Sequence, residues 1–261
     1  MGIFSEMAKR KEERTRDLEG PVFLKPFSSK EEEQKALAAK LEAAPPQSKY
    51  IFREALESIR GKTAAHKKIY DVLSAIERPM IIFHDLLISS KAGSARVDFA
   101  VLTSGFALAI RTKEAEKTGR ETKIDSDDFS RMYEGDRKSE ETAYLLFESI
   151  RETGLVSGKS LRSIWPVTIL SDADHSGQRD VCERSFSSDF SGIYPEVRRA
   201  QILLSTELPG LIEALFEGDY ASSEIPVRKL FDLGACLAKY DSEVTGCPVS
   251  YRNDASKEIE K

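Results

Sequence analysis

The fold is decided by one stretch of the chain, Ala95-Arg-Val-Asp-Phe-Ala-Val-Leu-Thr-Ser-Gly-Phe-Ala-Leu-Ala-Ile-Arg-Thr-Lys113. It contains two runs rich in β-branched and apolar residues, from about Arg96 to Leu102 and from Phe106 to Thr112. The Thr-Ser-Gly between them has the composition of a turn. The sequence therefore predicts two adjacent strands, with Asp98 on the first and Lys113 at the end of the second.

The flanking sequence alternates between helical and strand patterns. Upstream, apolar residues recur at helical spacing, and Pro79 separates them from a β-branched run. Downstream, another helical pattern is followed by two short, continuously apolar runs, which are typical of strands covered on both faces. The sequence therefore predicts an α/β fold with these additional elements: helix Thr63 to Glu77, strand Met80 to Ile88, helix 138–152, strands Trp165 to Leu170 and Ala200 to Leu204, and helix Glu207 to Glu217.

Changes in composition divide the chain into three predicted parts. Residues 1–60 are rich in charge and form a helical N-terminal extension, whereas residues 61–217 form the α/β core. Residues 218–261 are predicted as a C-terminal extension with a short helix near Val227 to Tyr240, followed by a tail.

Composition restricts the classes of protein that fit. The chain has 261 residues, a formal net charge of -5 and a pI near 5.5, which argues against a globally basic nucleic-acid binder. Its three cysteines are widely spaced and do not have the spacing of a structural zinc site. No apolar run approaches the roughly 20 residues that cross a bilayer. We expect a cytoplasmic protein with no membrane partner.

Acidic and basic residues of the two central strands indicate a kind of chemistry. Metal-dependent phosphodiester cleavage needs carboxylates that bind Mg²⁺ and commonly a lysine that stabilises charge. Side chains at positions i and i+2 of a strand share a face. Arg111 and Lys113 therefore share a face, and Asp98 is predicted to lie across from them.

The same residues resemble a known family. Val97-Asp98-Phe-Ala-Val-Leu, Ser104-Gly-Phe and Ala109-Ile-Arg-Thr-Lys113 are similar to the NERD (nuclease-related) domain, with Ile-Asp-His, a Gly turn and a strand ending Glu-x-Lys. The resemblance covers about residues 60–217. It implies a restriction-endonuclease-like PD-(D/E)xK core, with a mixed central sheet flanked by helices.

Carried over by position, the resemblance makes Asp98 the metal-binding aspartate and Lys113 the catalytic lysine. Three positions depart from the family pattern. Arg111 replaces the glutamate of Glu-x-Lys, Phe99 replaces the histidine, and His66 replaces the helical glutamate. The resemblance thus implies a nuclease site with a degraded motif.

The arginine is the most consequential departure. A guanidinium stays protonated at any working pH, so Arg111 near Asp98 would place positive charge where a metal ion would bind. We expect no metal cofactor, with Asp98 the ligand if one binds and Mg²⁺ the ion if the chain is active. We further hypothesise that Arg111 pairs with Asp98 in place of the ion. The predicted protein is a nuclease-related domain that has lost cleavage and acts in binding or regulation.

Two alternative functions remain open. An active Mg²⁺-dependent nuclease could take its acids from elsewhere, with candidates Glu114, Glu116, and Asp172 and Asp174 in a loop that also holds His175. A protein-interaction module could instead dock a partner through the N-terminal helices. A fold alone does not choose between these functions.

Each site residue also has a purely structural interpretation. Asp98 could be an ion-paired acid on a half-buried strand, and Lys113 an exposed lysine at a strand end. His66 is expected to face solvent or to form a hydrogen bond. A nucleic-acid surface is nevertheless suggested by basic residues that cluster around the hairpin and are interspersed with glutamates, namely Arg96, Arg111, Lys113, Lys117, Arg120 and Lys123.

Overall fold

The computed structural model describes residues 18–113, 126–156, 161, 163–170, 196–218 and 225–245. Within them, six strands form one sheet with the spatial order β1-β2-β3-β4-β5-β6. The strands are β1 (Pro21–Lys25), β2 (Met80–Ser90), β3 (Gly93–Leu102), β4 (Phe106–Lys113), β5 (Ser163–Leu170) and β6 (Gln201–Leu204). The α-helices of these ranges are α1 (Glu31–Ala43), α2 (Lys49–Ser74), α3 (Ser126–Glu152), α4 (Leu208–Glu217) and α5 (Val227–Thr245).

The sheet is mixed. Strands β2, β3 and β4 form an antiparallel meander, while β1 runs parallel to β2, and β5 and β6 continue parallel to β4. Parallel neighbours need a long crossover, which α3 supplies between β4 and β5. The predicted α/β class, with a mixed sheet flanked by helices, is confirmed.

Helices cover both faces of the sheet. One face packs against α3 and α5, in a core that includes Phe83, Leu86 and Val97. The other packs against α2 and α4, in a core that includes Ile110 and Phe99. We call these the α3/α5 face and the α2/α4 face. No helix in the described ranges is both long and apolar enough to cross a membrane.

The alternation of side chains is interrupted at one level of β2 and β3. Phe83 and Leu86 both pack on the α3/α5 face, although they are three positions apart in the sequence. Val97 and Ala100 on β3 do the same. Strict alternation would place residues an odd number apart on opposite faces. The interruption lies at Asp85, whose φ is +56°, and at Asp98 opposite it.

Elements from all three predicted parts contribute to the sheet and its cores. Strand β1 pairs with β2, and α5 packs on the α3/α5 face. Helix α2 runs without interruption across the predicted boundary at residue 60, because Gly61 lies inside a helix whose buried side chains anchor it. The sequence did not predict β1, since a strand of five residues that starts with proline resembles a turn.

Candidate functional site

Asp98 lies where β3 and β4 meet helix α2, and its carboxylate is surrounded by donors. Oδ2 accepts hydrogen bonds from the backbone N–H of Thr112 at 2.7 Å and from the Thr112 hydroxyl at 2.9 Å. Oδ1 lies 3.1 Å from Lys62 Nζ and 3.6 Å from His66 Nε2. We call Lys62, His66, His84, Asp98 and Thr112 the Asp98 centre.

The surroundings explain the ionisation of Asp98. Burial by itself raises the pKa of this carboxyl group. The adjacent His66 side chain, the Lys62 ammonium and the Thr112 backbone N–H outweigh burial and hold the pKa well below its ordinary value. Asp98 is therefore an anion at neutral pH.

Strand register explains why Asp98 meets Thr112 rather than Arg111. Thr112 pairs with Ile169 of β5, which belongs to the core on the α2/α4 face. Arg111 pairs with Thr168, whose hydroxyl contacts α3 on the opposite face. Paired residues of adjacent strands point to the same side. Thr112 therefore points toward α2, and Arg111 points away from it.

The predicted ion pair between Arg111 and Asp98 is consequently wrong. No ion pair within 4 Å joins these two described residues, and the cation beside Asp98 is Lys62. Lys113 has the same strand parity as Arg111, as predicted, but that parity carries both side chains away from Asp98. Regular alternation through Asp98 would have placed Arg111 beside it, but β3 is interrupted at Asp98.

A chain of hydrogen bonds connects Asp98 to the loop after β1. His66 Nε2 lies 2.8 Å from Thr112 Oγ1, and His66 Nδ1 lies 2.9 Å from His84 Nε2. The backbone N–H of Ser28 then donates to His84 Nδ1 at 3.2 Å. Four side chains and one backbone group thus form a continuous polar path inside the protein.

The groups at both ends of this path fix which atom donates in each of its hydrogen bonds, and the two ends agree. The Ser28 N–H makes His84 Nδ1 an acceptor, so neutral His84 carries its proton on Nε2 and donates to His66 Nδ1. His66 accepts that bond at Nδ1 and donates from Nε2 to the Thr112 hydroxyl. At the other end, ionised Asp98 can only accept, so the Thr112 hydroxyl must donate to it. Every donor in the path therefore finds an acceptor.

His84 is held in its neutral form. Burial lowers its pKa to about 4, and the positive charges of Lys25 and Lys30 also favour the neutral ring, while Asp85 opposes them. The rings of Phe27 and Phe99 pack against the imidazole, with centroids 5.1 and 5.0 Å away. His66 is also buried, so it forms hydrogen bonds rather than facing solvent.

A second buried carboxylate lies opposite Asp98 on β2. Asp85 Oδ2 is 2.9 Å from an Arg96 guanidinium nitrogen and 3.3 Å from Lys30 Nζ, while Oδ1 is buried without a hydrogen-bond partner. Burial raises the pKa of Asp85, but Arg96 and Lys30 lower it below its ordinary value overall. We call Asp85, Lys30 and Arg96 the Asp85 kink.

A partly buried ion pair supports the backbone at the kink. Lys25 Nζ donates to the Asp85 carbonyl oxygen at 2.5 Å and contacts Asp241 Oδ2 at 2.6 Å. The other oxygen of Asp241 accepts the backbone N–H of Leu87 at 2.8 Å. Lys25 of β1 and Asp241 of α5 therefore satisfy one backbone group each, at and just after the position where β2 departs from regular geometry.

The Asp98 centre does not suit a divalent cation. Both oxygens of Asp98 already face donors, and one of those donors is the Lys62 ammonium. His66 Nε2 carries a proton and has no lone pair for a metal. In the described ranges, no group of three or more His, Cys, Asp or Glu side chains has the arrangement of a metal site. The residues present therefore do not fit the ion that the resemblance implies.

Several predicted residues lie outside the described ranges. These are Lys117, Arg120 and Lys123 of the basic cluster, the relocated acid candidates Glu114, Glu116, Asp172 and Asp174, and His175. Of the described basic residues, Arg96 contacts Asp85, whereas Arg111 and Lys113 are partly exposed at the end of β4.

Lys62, His84, Asp85 and Thr112 are members of the polar cluster that local sequence patterns do not predict. One signal was present, because Lys62 precedes His66 by four positions and therefore shares its helix face. The convergence of both side chains on Asp98 depends on how α2 packs against β3.

No protein-family model matches the chain, and no curated protein sequence matches it with significance.

Proposed function

We propose that the chain is a nuclease-related domain with a restriction-endonuclease-like core that has lost metal-dependent cleavage and binds nucleic acid. The antiparallel β2-β3-β4 meander, with the long helix α2 before it and the α3 crossover after it, supports the fold assignment. So does the position of Asp98, which lies beside the end of β4 and a turn of α2.

The donor set around Asp98 is the observation that carries the loss of cleavage. The aspartate is buried and ionised, yet its charge is balanced by Lys62 and by the hydrogen bonds of Thr112. Mg²⁺ requires oxygen ligands that can replace its water, and it dehydrates reluctantly. A carboxylate whose oxygens are both engaged by donors is a poor ligand for such an ion.

Positive charge at this end of the sheet supports binding of a polyanion. The cations beside the two buried carboxylates stay half exposed, with 45% of the Lys62 side chain and 46% of the Arg96 side chain accessible. Arg111 and Lys113 add two cations that form no ion pair within 4 Å in the described part of the chain. Partly exposed lysines and arginines are the groups that contact phosphates.

A nuclease assay tests the loss of cleavage. Purified chain is incubated with single-stranded and duplex DNA and RNA, with Mg²⁺, Mn²⁺ or EDTA. We expect no metal-dependent cleavage. Cleavage that requires the metal and disappears in Asp98→Asn would refute the proposal. Metal-dependent cleavage that survives in a folded Asp98→Asn would support acids drawn from elsewhere.

A salt series tests nucleic-acid binding independently. Fluorescence anisotropy should detect complexes at low ionic strength whose affinity falls as salt rises. Arg111→Gln with Lys113→Gln should weaken binding and reduce the slope of log K against log salt by about 1.5, if each cation contacts one phosphate. Lys35→Gln with Lys40→Gln, on the exposed helix α1, removes the same charge and should leave the slope nearly unchanged. Absence of binding at low ionic strength would refute this part.

A protein-interaction module is the second candidate, and one observation favours it. Tyr50 and Ile51, at the start of α2, are 59% and 51% exposed, and α1 has no buried residue. Large exposed apolar side chains are common at protein interfaces. If the chain does not bind nucleic acid, a partner that binds the wild type and is lost in Tyr50→Ser with Ile51→Ser would favour this function.

A further inference from the structure

Two side chains of α2 converge on the same oxygen of Asp98. Lys62 and His66 are one helical turn apart, and their Nζ and Nε2 atoms lie 3.1 and 3.6 Å from Oδ1. The lysine approaches from the exposed side and the histidine from the buried side. Position 62 is therefore the place from which a solvent-accessible group reaches the carboxylate.

We propose that the Lys62 ammonium is a built-in substitute for a divalent cation, and that Lys62, rather than Arg111, keeps this site free of metal. The inference rests on the proposed loss of cleavage and assigns a cause to it. Its test uses metal binding alone, so its failure is distinguishable from a failure to bind nucleic acid.

Electrostatics supports this assignment. A buried carboxylate needs a positive partner, and the tethered ammonium is always available to it. A divalent ion at Oδ1 would have to displace the ammonium or remain close to it, which costs free energy in a partly buried site. Arg111 cannot exert this effect by contact, because it points to the opposite face of the sheet.

The hydrogen-bond path removes the other candidate ligand. For His66 Nε2 to bind a metal, its proton would have to move to Nδ1, which faces His84 Nε2. His84 would then need its own proton on Nδ1, which already faces the backbone N–H of Ser28. A backbone N–H cannot change its role, so the path keeps Nε2 protonated. Only oxygen ligands remain available near Asp98.

Replacement of Lys62 by an acid should therefore create a metal site. Lys62→Glu places a second carboxylate beside Asp98, and water completes the coordination that Mg²⁺ and Mn²⁺ accept. The probe is Mn²⁺ alone, measured by electron paramagnetic resonance with the folded full-length chain. We expect Lys62→Glu to bind one Mn²⁺ at least about a hundredfold more tightly than the wild type. Adding Asp98→Asn should abolish the gain.

Arg111→Glu is the matched control. It changes the net charge by the same amount as Lys62→Glu, and it does so on β4, the strand next to the one that carries Asp98. We expect it to gain no comparable Mn²⁺ binding. A folded Lys62→Glu variant without a gain would overturn the proposal. So would an equal gain in Arg111→Glu, or wild-type binding that is lost in Asp98→Asn.

The wild-type chain gives an answer even if Lys62→Glu does not fold. Nitrogen-edited NMR detects a lysine ammonium held in an ion pair, and Lys62→Arg, which keeps the charge, assigns the signal. We expect the Lys62 signal to be unchanged by excess Mg²⁺. Loss or displacement of the signal on addition of Mg²⁺ would show that the metal competes for Asp98 and would overturn the proposal.

Discussion

Asp85 and Asp98 lie opposite each other on neighbouring strands and are buried to nearly the same extent, with 8% and 7% exposure, yet their surroundings differ. Asp98 accepts two hydrogen bonds from Thr112 and is connected to a buried path of donors. Asp85 is held by the side chains of Lys30 and Arg96, has one oxygen without a hydrogen-bond partner, and has left-handed backbone.

Burial of a carboxylate therefore does not by itself measure its contribution to stability. Besides the Lys62 ammonium, the partners of Asp98 are the β4 backbone and the Thr112 and His66 side chains, which lose little freedom when they pair. The partners of Asp85 are two long cations that can turn to solvent. We therefore expect the Asp98 centre to contribute more to stability than the Asp85 kink.

The largest effect should come from removing the charge of Asp98. Asp98→Asn replaces one oxygen by an amide donor that would face Lys62 and His66, and we expect a loss of about 2–4 kcal/mol in the free energy of unfolding. Asp85→Asn should cost no more than about 1 kcal/mol, because asparagine tolerates the left-handed backbone and both cations can reach solvent. Urea unfolding at neutral pH measures both. Equal losses, or a larger loss for Asp85→Asn, would show that the Asp98 centre does not contribute more to stability than the Asp85 kink.

Acid should destabilise the Asp98 centre through His84. The folded-state pKa is lowered to about 4 from the ordinary 6.5, so the unfolded chain binds a proton at higher pH than the folded chain does. The stability contributed by neutral His84 is fully present above about pH 6.5 and is lost as the pH falls toward 4, by at most about 3 kcal/mol.

His84→Gln isolates that contribution, since its amide does not titrate. Unfolding measured between pH 7 and pH 4 should have a shallower pH dependence in the variant than in the wild type. Gly234→Ala is a control with an unchanged polar centre, because a Cβ there would lie 2.6 Å from Leu24 Cδ1 in the α3/α5 core. It should lower stability at every pH by a similar amount. Identical pH slopes for wild type and His84→Gln would contradict the assignment.

The smallest effect should come from a cation of the Asp85 kink. Lys30→Met removes one of two partners of Asp85 while Arg96 remains, and the lysine is itself partly exposed. We expect a change of less than about 1 kcal/mol, which thermal unfolding can compare with wild type. A loss as large as that of Asp98→Asn would show that the two carboxylates contribute equally to the free energy of unfolding.

Much of the architecture could be predicted from local patterns. The strands of the β2-β3-β4 meander, β5, β6 and the helices that follow them were predicted within a few residues, except that α2 and α3 begin about a dozen residues earlier. Apolar periodicity identifies such elements because each buries a face. The early start of α3 escapes detection because its first turns are largely polar. The first turns of α2 do hold apolar residues, but of these only Leu56 is buried.

The site was predicted less completely. Asp98 and His66 were singled out, and the structure brings them within 3.6 Å of each other. Arg111 was paired with Asp98 on the assumption of regular alternation, which fails at the position where β2 and β3 both depart from it. An irregularity shared by two strands depends on α5 and Lys25 as well as on the local sequence.

By itself, the sequence determined the α/β class and the central hairpin with Asp98 near the end of β4, because these follow from side-chain periodicity and turn residues. The cation that contacts Asp98, by contrast, is set by tertiary packing. Lys62 and His84 are distant from it along the chain and reach the centre through the packing of α2 on the sheet. Hydrogen-bond partners across such distances are set by the geometry of packing, which local patterns do not encode.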